Sequence, residues 1–471
     1  MVGRENEIAR LQKSLTSKNS ELIAIYGRRR IGKTYLIRNL YKNEIIFEAT
    51  GLYEGTTEQQ LLVFLRQFQI VYKKTQAISK LQNWDEAFEL LKKYISSLRN
   101  KKKKVIFIDE FPWFDTHKSD FLMCFGHFWN TFCEKRDDLV VVLCGSAASY
   151  MVQNILQNKG SLHGRLSYKL QINPFTLYET KQYLINQGIH WTNYNIIQLY
   201  IALGGVPHYL SKVTKQESVV QNIQRLCFDS HGDLLNEFEE VFDSLFTQST
   251  THKEIIRQLG VSQKGLTRDE LIQKTTLTGG GNFSRALNEL IASGFVSNYK
   301  AFGNKKKMSL YRLCDEYSKF YLKYIEPNKN QGKNFWNTLS QEQSYISWSE
   351  FNFETICLKH IDQLKKALGI IGIHSENSCW NNEHAQIDLI IDRADKWTNL
   401  IEIKFRSETY TIDKSEYLNL RKKIDEFKKS NNHKKHISLC VVSTFGVTEN
   451  EYASEIVENN LTIDVLFEKV S

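Results

Sequence analysis

The chain has 471 residues, 41% of them hydrophobic and 24% charged, enough for about three domains, and no run approaches the roughly 18–20 apolar residues that span a bilayer. Its eight cysteines are scattered with no C-x-x-C spacing, so neither a zinc ribbon nor a redox pair is suggested. The net charge of +9 fits a nucleic-acid partner without requiring one.

The first residues, Met1-Val2-Gly3-Arg4-Glu5, run straight into a charged helix, so no signal peptide and a cytoplasmic protein with reduced thiols are expected. Residues 22–26 read as an apolar strand. Gly27-Arg28-Arg29-Arg30-Ile31-Gly32-Lys33-Thr34 follows, a full G-x-x-x-x-G-K-[ST] loop, and a helix opens at 35–40. In that context the backbone N–H groups of the loop cradle phosphate oxygens. Lys33 reaches the β- and γ-phosphates, and the Thr34 hydroxyl ligates Mg²⁺. ATP and Mg²⁺ are therefore the expected cofactors.

Further apolar runs at 45–49, 105–108 and 139–144 alternate with helix-like stretches, the rhythm of a parallel sheet covered on both faces. The run at 105–108 ends in Asp109-Glu110. Asp109 is a candidate to hold Mg²⁺ and Glu110 to polarise the attacking water. Ser146, at the end of the neighbouring strand, is a candidate γ-phosphate sensor. Arg165 is a candidate for charge stabilisation, either in cis or from a neighbouring subunit.

Residues 177–247 read as mostly helical, broken at Gly204-Gly205-Val206-Pro207. From 248 to 326 the grammar changes: helices at 253–259, 267–274 (Thr267 capping, Glu270 in the box position) and 282–293, then strands at 295–302 and 308–313 about a Gly303-Asn304 turn. This predicts a winged helix-turn-helix. Arg285 on the third helix and Lys305, Lys306 and Lys307 in the wing are candidate nucleic-acid contacts. The alternative is a protein–protein connector with a solvated hairpin. Residues 327–347 are polar and read as a linker.

The last section, 348–471, starts helical. Asp388 lies on a strand at 387–391, and Glu402 and Lys404 on a strand at 400–405; a helix at 414–429 and a strand at 437–443 follow. Strand period two puts Glu402 and Lys404 on one face, and a hairpin would bring Asp388 beside Glu402. Two such carboxylates can bind Mg²⁺, with Lys404 activating a water against a phosphodiester. Glu354 on the preceding helix is a candidate third acid. Tyr417 and Lys423 on the following helix are candidates for DNA binding.

Val2-Gly3-Arg4-Glu5, the loop 26–34, Ile108-Asp109-Glu110-Phe111, Cys144-Gly145-Ser146, Gly164-Arg165 and Gly204-Gly205-Val206-Pro207 together resemble the archaeal-type ATPases of the AAA+/STAND lineage. The resemblance spans about the first 245 residues. It implies that Gly3 and Arg4 lie near the adenine and that Pro207 packs against the base. The pattern Glu354, Asp388, Glu402-x-Lys404 looks like the PD-(D/E)XK nuclease core, which that family often carries at its C-terminus.

The expected fold class is α/β: a phosphate-loop NTPase core at 1–176, a helical lid at 177–247, a winged helix at 248–326, a linker at 327–347, and a restriction-endonuclease-like α/β domain at 348–471. The expected activity is ATP hydrolysis gating a metal-dependent nuclease on nucleic acid, DNA foremost. Defence or mobile-element processing is a compatible setting. Partners besides nucleic acid are a second copy or a regulatory protein, with no membrane. The rival expectations are a STAND-type signalling switch and a DNA-binding regulator, each with a non-catalytic nuclease-like docking domain.

Overall fold

The computed structural model describes residues 2–72, 78–100, 102–157, 159–246, 248–262, 265–277, 279–300, 302, 309–329 and 334–470. Two compact units emerge, one over Gly3–Asn173 and the other built mainly from Pro174–Ile291 and Phe295–Ser471.

The first unit is set by continuous apolar runs. Strands β1 (Glu21–Tyr26), β2 (Ile45–Thr50), β3 (Lys104–Asp109), β4 (Leu139–Gly145) and β5 (Tyr168–Gln171) form one sheet in the order β2-β3-β4-β1-β5. Every pairing is parallel. Strands that read apolar at every position belong in a sheet covered on both faces. Alternate residues divide accordingly. Ile23, Ile25, Val105, Phe107, Val140 and Val142 pack with Leu11, Leu36 and Tyr41 on one face. Leu22, Ala24, Ile106, Ile108, Val141 and Leu143 meet Phe64, Phe68, Trp84, Phe88 and Phe121 on the other. Register aligns Tyr26 with Gly145 and Thr50 with Asp109, so the functional strand ends share one edge of the sheet.

In the second unit, helices Leu177–Asn186 and Asn193–Leu203 lead to Ser249–Val261, Arg268–Lys274 and Gly281–Ala292. An antiparallel pair follows, β6 (Val296–Lys300) and β7 (Ser309–Leu313). Thr267 and Glu270 form the reciprocal cap. The wing residues Gly303, Asn304, Lys305, Lys306 and Lys307 lie outside the described residues. Arg285 is exposed on its helix.

A second sheet follows: β8 (Ser375–Asn381), β9 (Gln386–Arg393), β10 (Trp397–Lys404), β11 (His436–Ser443) and β12 (Asn459–Thr462), in the order β12-β11-β10-β9-β8. β8, β9 and β10 run antiparallel in turn, whereas β10, β11 and β12 are parallel. The amide of Phe302 donates to Cys379 O at 2.9 Å, and its ring packs on Phe427 and His433. The β6–β7 hairpin is thus seated against the outer strand β8.

One apolar cluster runs through this whole unit, from Phe175 to Phe467. The described residues of the stretch 327–347, expected to be a linker, contribute to it. It contains the helix Phe335–Leu339, and Trp336 is only 1% exposed, stacked on Phe228. The physical reason is aromatic burial: Phe335, Trp336 and Tyr345 outweigh the polar residues between them.

His360 ties the unit together. Its Nε2 accepts the Leu177 amide at 2.9 Å and its Nδ1 faces Ile356 O at 2.8 Å, a pattern only the neutral ring satisfies. Burial lowers its pKa from 6.5 to about 4. The neutral ring's contribution is complete above pH 6.5. It is lost as pH falls toward 4, because the unfolded chain takes up a proton that the folded one refuses. Urea unfolding should therefore lose about 3 kcal/mol between these limits through this ring alone. His360→Gln should flatten that part of the profile; an unchanged profile would remove the ring from the pH response.

Candidate nucleotide site and carboxylate–lysine cluster

The phosphate loop leaves β1 through Gly27 at φ 147°, where a Cβ would fall 2.2 Å from Ile172 O, so only glycine fits. Gly32, at φ 86°, starts the helix Lys33–Leu40 and leaves its first amides pointing into the loop. The Lys33 ammonium folds back onto Gly27 O at 2.8 Å and Arg28 O at 2.9 Å. It therefore sits buried beneath the loop, within the shell where phosphate oxygens would lie. Arg30 takes a left-handed conformation, and the Arg29 guanidinium lies 5.3 Å from the Trp113 ring centroid. Arg28 is buried. Arg4, in the left-handed region just after Gly3, donates to Ile31 O at 3.2 Å, which ties the N-terminal segment to the loop.

The acidic strand end meets the loop. Thr34 Oγ1 donates to Asp109 Oδ2 at 2.8 Å, and Asp109 Oδ1 accepts the Glu110 amide at 3.1 Å. A hydroxyl and a buried carboxylate are hard oxygen donors, the chemistry Mg²⁺ prefers. Glu110, in the left-handed region, turns its carboxylate to β4, where Ser146 donates through both N (3.1 Å) and Oγ (2.7 Å). The structure thus joins Gly3, Arg4, residues 27–34, Asp109, Glu110 and Ser146.

Arg165 is not among them. Ser167 N bonds Leu22 O and Tyr168 pairs with Ile23, so Arg165 precedes β5 at the amino edge of the sheet, opposite the phosphate loop. There it is ion-paired to Glu134. About a strand's length separates it from the loop. Pro207 belongs to the second unit, where it opens the short helix Pro207–Leu210.

In the second unit the β9–β10 ladder runs down to Leu389–Ile401, and the next residues along are Asp388 and Glu402. Asp388 Oδ2 accepts the Ile403 amide at 2.9 Å. Glu402 is 3% exposed and receives Lys404 at 2.9 Å and Lys423 at 2.7 Å. Burial opposes its ionisation, but the two lysines outweigh burial and hold its pKa below the ordinary value. Burial and the Glu402 charge push Asp388 up to about 7. Burial, then Asp388, raises Glu354 well above the carboxylate range. Glu354, Asp388, Glu402 and Lys404 therefore sense one another as a single electrostatic cluster. Among the described residues no group of three or more His, Cys, Asp or Glu side chains is arranged so that it could hold a metal ion. Carboxylate oxygens are the donors a hard cation prefers, and here those of Glu402 are taken by Lys404 and Lys423.

Lys423, a candidate DNA contact, is a partner of Glu402. Leu420 and Phe427 bury the face of the helix Lys414–Asn431 that bears it, and that spacing was the available signal. Tyr417 is bonded to Glu455. Arg312, on β7, was not singled out, yet its charge draws the Glu354 carboxyl downward.

No helix of the described residues is long and apolar enough to cross a membrane. Residues 1–213 match the family described as an ATPase domain predominantly from Archaea. An uncharacterized protein of Methanocaldococcus jannaschii is 25% identical over 411 residues, 86% of this chain and 87% of its own. A Walker-type ATPase of Pyrococcus abyssi aligns with a TM-score of 0.49 at 18% identity, covering 68% of this chain and 96% of that one. The ORC2 protein of Aeropyrum pernix aligns with a TM-score of 0.33 at 16% identity, covering 65% of this chain and 86% of its own. The phosphate loop, Asp109, Glu110 and Ser146 all lie inside the span that matches this archaeal ATPase domain.

Proposed function

We propose that this protein is an ATP-regulated nucleic-acid enzyme, in which the nucleotide state of the P-loop domain gates a metal-dependent nuclease centre acting on DNA. The observation that carries the reading is the cluster at the end of the β9–β10 ladder, where Asp388, Glu402 and Lys404 meet on one face with Glu354 beside them. Buried titratable groups with strongly shifted protonation, tied to specific partners, are a mark of functional sites.

In the P-loop domain, Lys33 neutralises the β- and γ-phosphates, and Glu110 polarises the attacking water once Ser146 releases it. Gly3 and Arg4 contribute to adenine binding in this reading. Mg²⁺ would be held by Thr34 and Asp109 there, and by Glu354, Asp388 and Glu402 in the second unit, where it supplies charge neutralisation at the attacked phosphodiester. Lys404 orients the water, and Lys423 competes for Glu402.

A second reading has one observation in its favour: both lysines engage Glu402. On that reading the C-terminal fold is a docking module and the protein a nucleotide-dependent switch or a DNA-binding regulator. Supercoiled plasmid incubated with the protein and Mg²⁺, with and without ATP, separates the two. Nicking or linearisation that changes with ATP is expected. Intact plasmid alongside ATP-driven assembly would establish the switch instead, and tight operator binding without cleavage the regulator.

A further inference from the structure

We propose that the second unit holds a binding site for a small organic phosphate, in a cavity of about 400 Å³ among the helix Ser249–Val261, β7, the helical run Glu316–Phe320 and Tyr321–Ile325, and the helix Gln343–Lys359. Arg312 and Lys319 line it, and each is only 8% exposed. The Arg312 guanidinium lies 5.0 Å from the Tyr299 ring centroid and 5.7 Å from that of Phe351, and its Nε has no hydrogen-bond partner. Lys319 Nζ donates to Thr355 Oγ1 at 2.9 Å and stands 5.8 Å from the Phe351 centroid. Lys323, exposed, adds a third cation to the lining.

Among the described residues none of these three cations has a carboxylate within ion-pairing distance. Of the nearby acids, Glu326 holds Arg257 at 2.6 Å and Glu316 holds Lys359, while burial and Asp388 push the Glu354 carboxyl toward its neutral form against the pull of Arg312. Buried cations are ordinarily paired, because taking a charge out of water without a counter-ion is costly. Burial above all brings the Lys319 pKa down to about 7, with Glu316 opposing the shift and Arg312 and Lys359 adding to it. An entering anion would relieve that imbalance. Three unpaired cations call for about two negative charges, which a phosphate monoester carries and a single carboxylate does not.

Leu259, Val261, Leu322 and Trp348 give the lining an apolar part, beside Ser262, Asn352 and the paired Arg257 and Glu326. It suits the body of an organic phosphate better than a free ion. The volume falls within the range of about 300–1,000 Å³ usual for small-molecule sites. Cations this deeply buried in so small a space exclude a duplex backbone as the occupant. The inference is independent of whether the carboxylate cluster cleaves nucleic acid.

The test uses the full chain carrying Lys33→Ala, so that the phosphate loop does not compete. Adenosine 5′-monophosphate and inorganic phosphate are titrated by calorimetry. One equivalent of the nucleotide should bind, with inorganic phosphate weaker by at least about tenfold because it leaves the apolar wall empty. Arg312→Gln together with Lys319→Met should abolish binding. Lys323→Glu, an exposed substitution that leaves the core intact, should weaken it by about tenfold. No saturable binding of either probe, equal affinity in all variants, or displacement of the nucleotide by duplex DNA would each overturn the proposal.

Discussion

Lys33→Ala is expected to cut ATP turnover by about 10²–10³-fold, the loss typical of removing one preorganised donor at a reacting centre. Its ammonium is held beneath the loop by Gly27 O and Arg28 O, so it is placed before nucleotide arrives and needs no reorganisation. The substitution removes two hydrogen bonds to loop carbonyls and leaves every residue of the apolar clusters unchanged, so the fold should persist. Circular dichroism and thermal unfolding close to wild type, together with lost phosphate release, are the expected pair of results. Turnover within twofold of wild type would mean that the loop does not hold the γ-phosphate. Glu110→Gln, by contrast, should retain nucleotide binding while losing hydrolysis, because it leaves the loop itself untouched.

Glu402→Ala is the second large effect, and it acts on stability as well as on activity. The side chain is 3% exposed and is the shared partner of Lys404 and Lys423. Removing it strands two cations in a poorly solvated site, a cost of about 3–5 kcal/mol for a broken buried pair. The urea midpoint should fall accordingly. Glu402→Gln keeps the volume and an acceptor oxygen, so its cost should be smaller. If the proposed nuclease reading holds, both variants, and Lys404→Ala, leave plasmid intact. Plasmid cleavage by Glu402→Gln at the wild-type rate would sink that reading while leaving the stability argument in place.

The parts legible in the sequence are those whose chemistry is contiguous. The phosphate loop carries its strand, its glycines and its lysine within a few residues, so the local pattern fixes the local geometry. Asp109 and Ser146 were legible for a related reason: in an all-parallel sheet every strand delivers its carboxyl end to the same edge. Asp388 and Glu402 could be paired because strand period two leaves few registers for a short hairpin. Arg165 was not legible. Nothing in Gly164-Arg165 says which end of the sheet the segment reaches, and the pairing of β5 with β1 decides that. Strand β8 was missed because Ser-Glu-Asn-Ser-Cys-Trp-Asn has no apolar alternation, as suits an outer strand. The burial of Trp336 within a polar stretch depends on Phe228, more than a hundred residues away.

The seat of Phe302 on Cys379 bears on how the protein can be taken apart. An outer strand with unpaired backbone groups is a template for another chain, and here the hairpin covers it. A fragment cut at residue 348 to isolate the C-terminal sheet would lay bare that carbonyl and the rings of Trp380 and Phe427 beside it. Such a piece would recruit copies of itself through strand addition. The smallest excisable body therefore begins well upstream of the helix that carries Glu354, and the ancestry of the parts is a poor guide to where scissors can go.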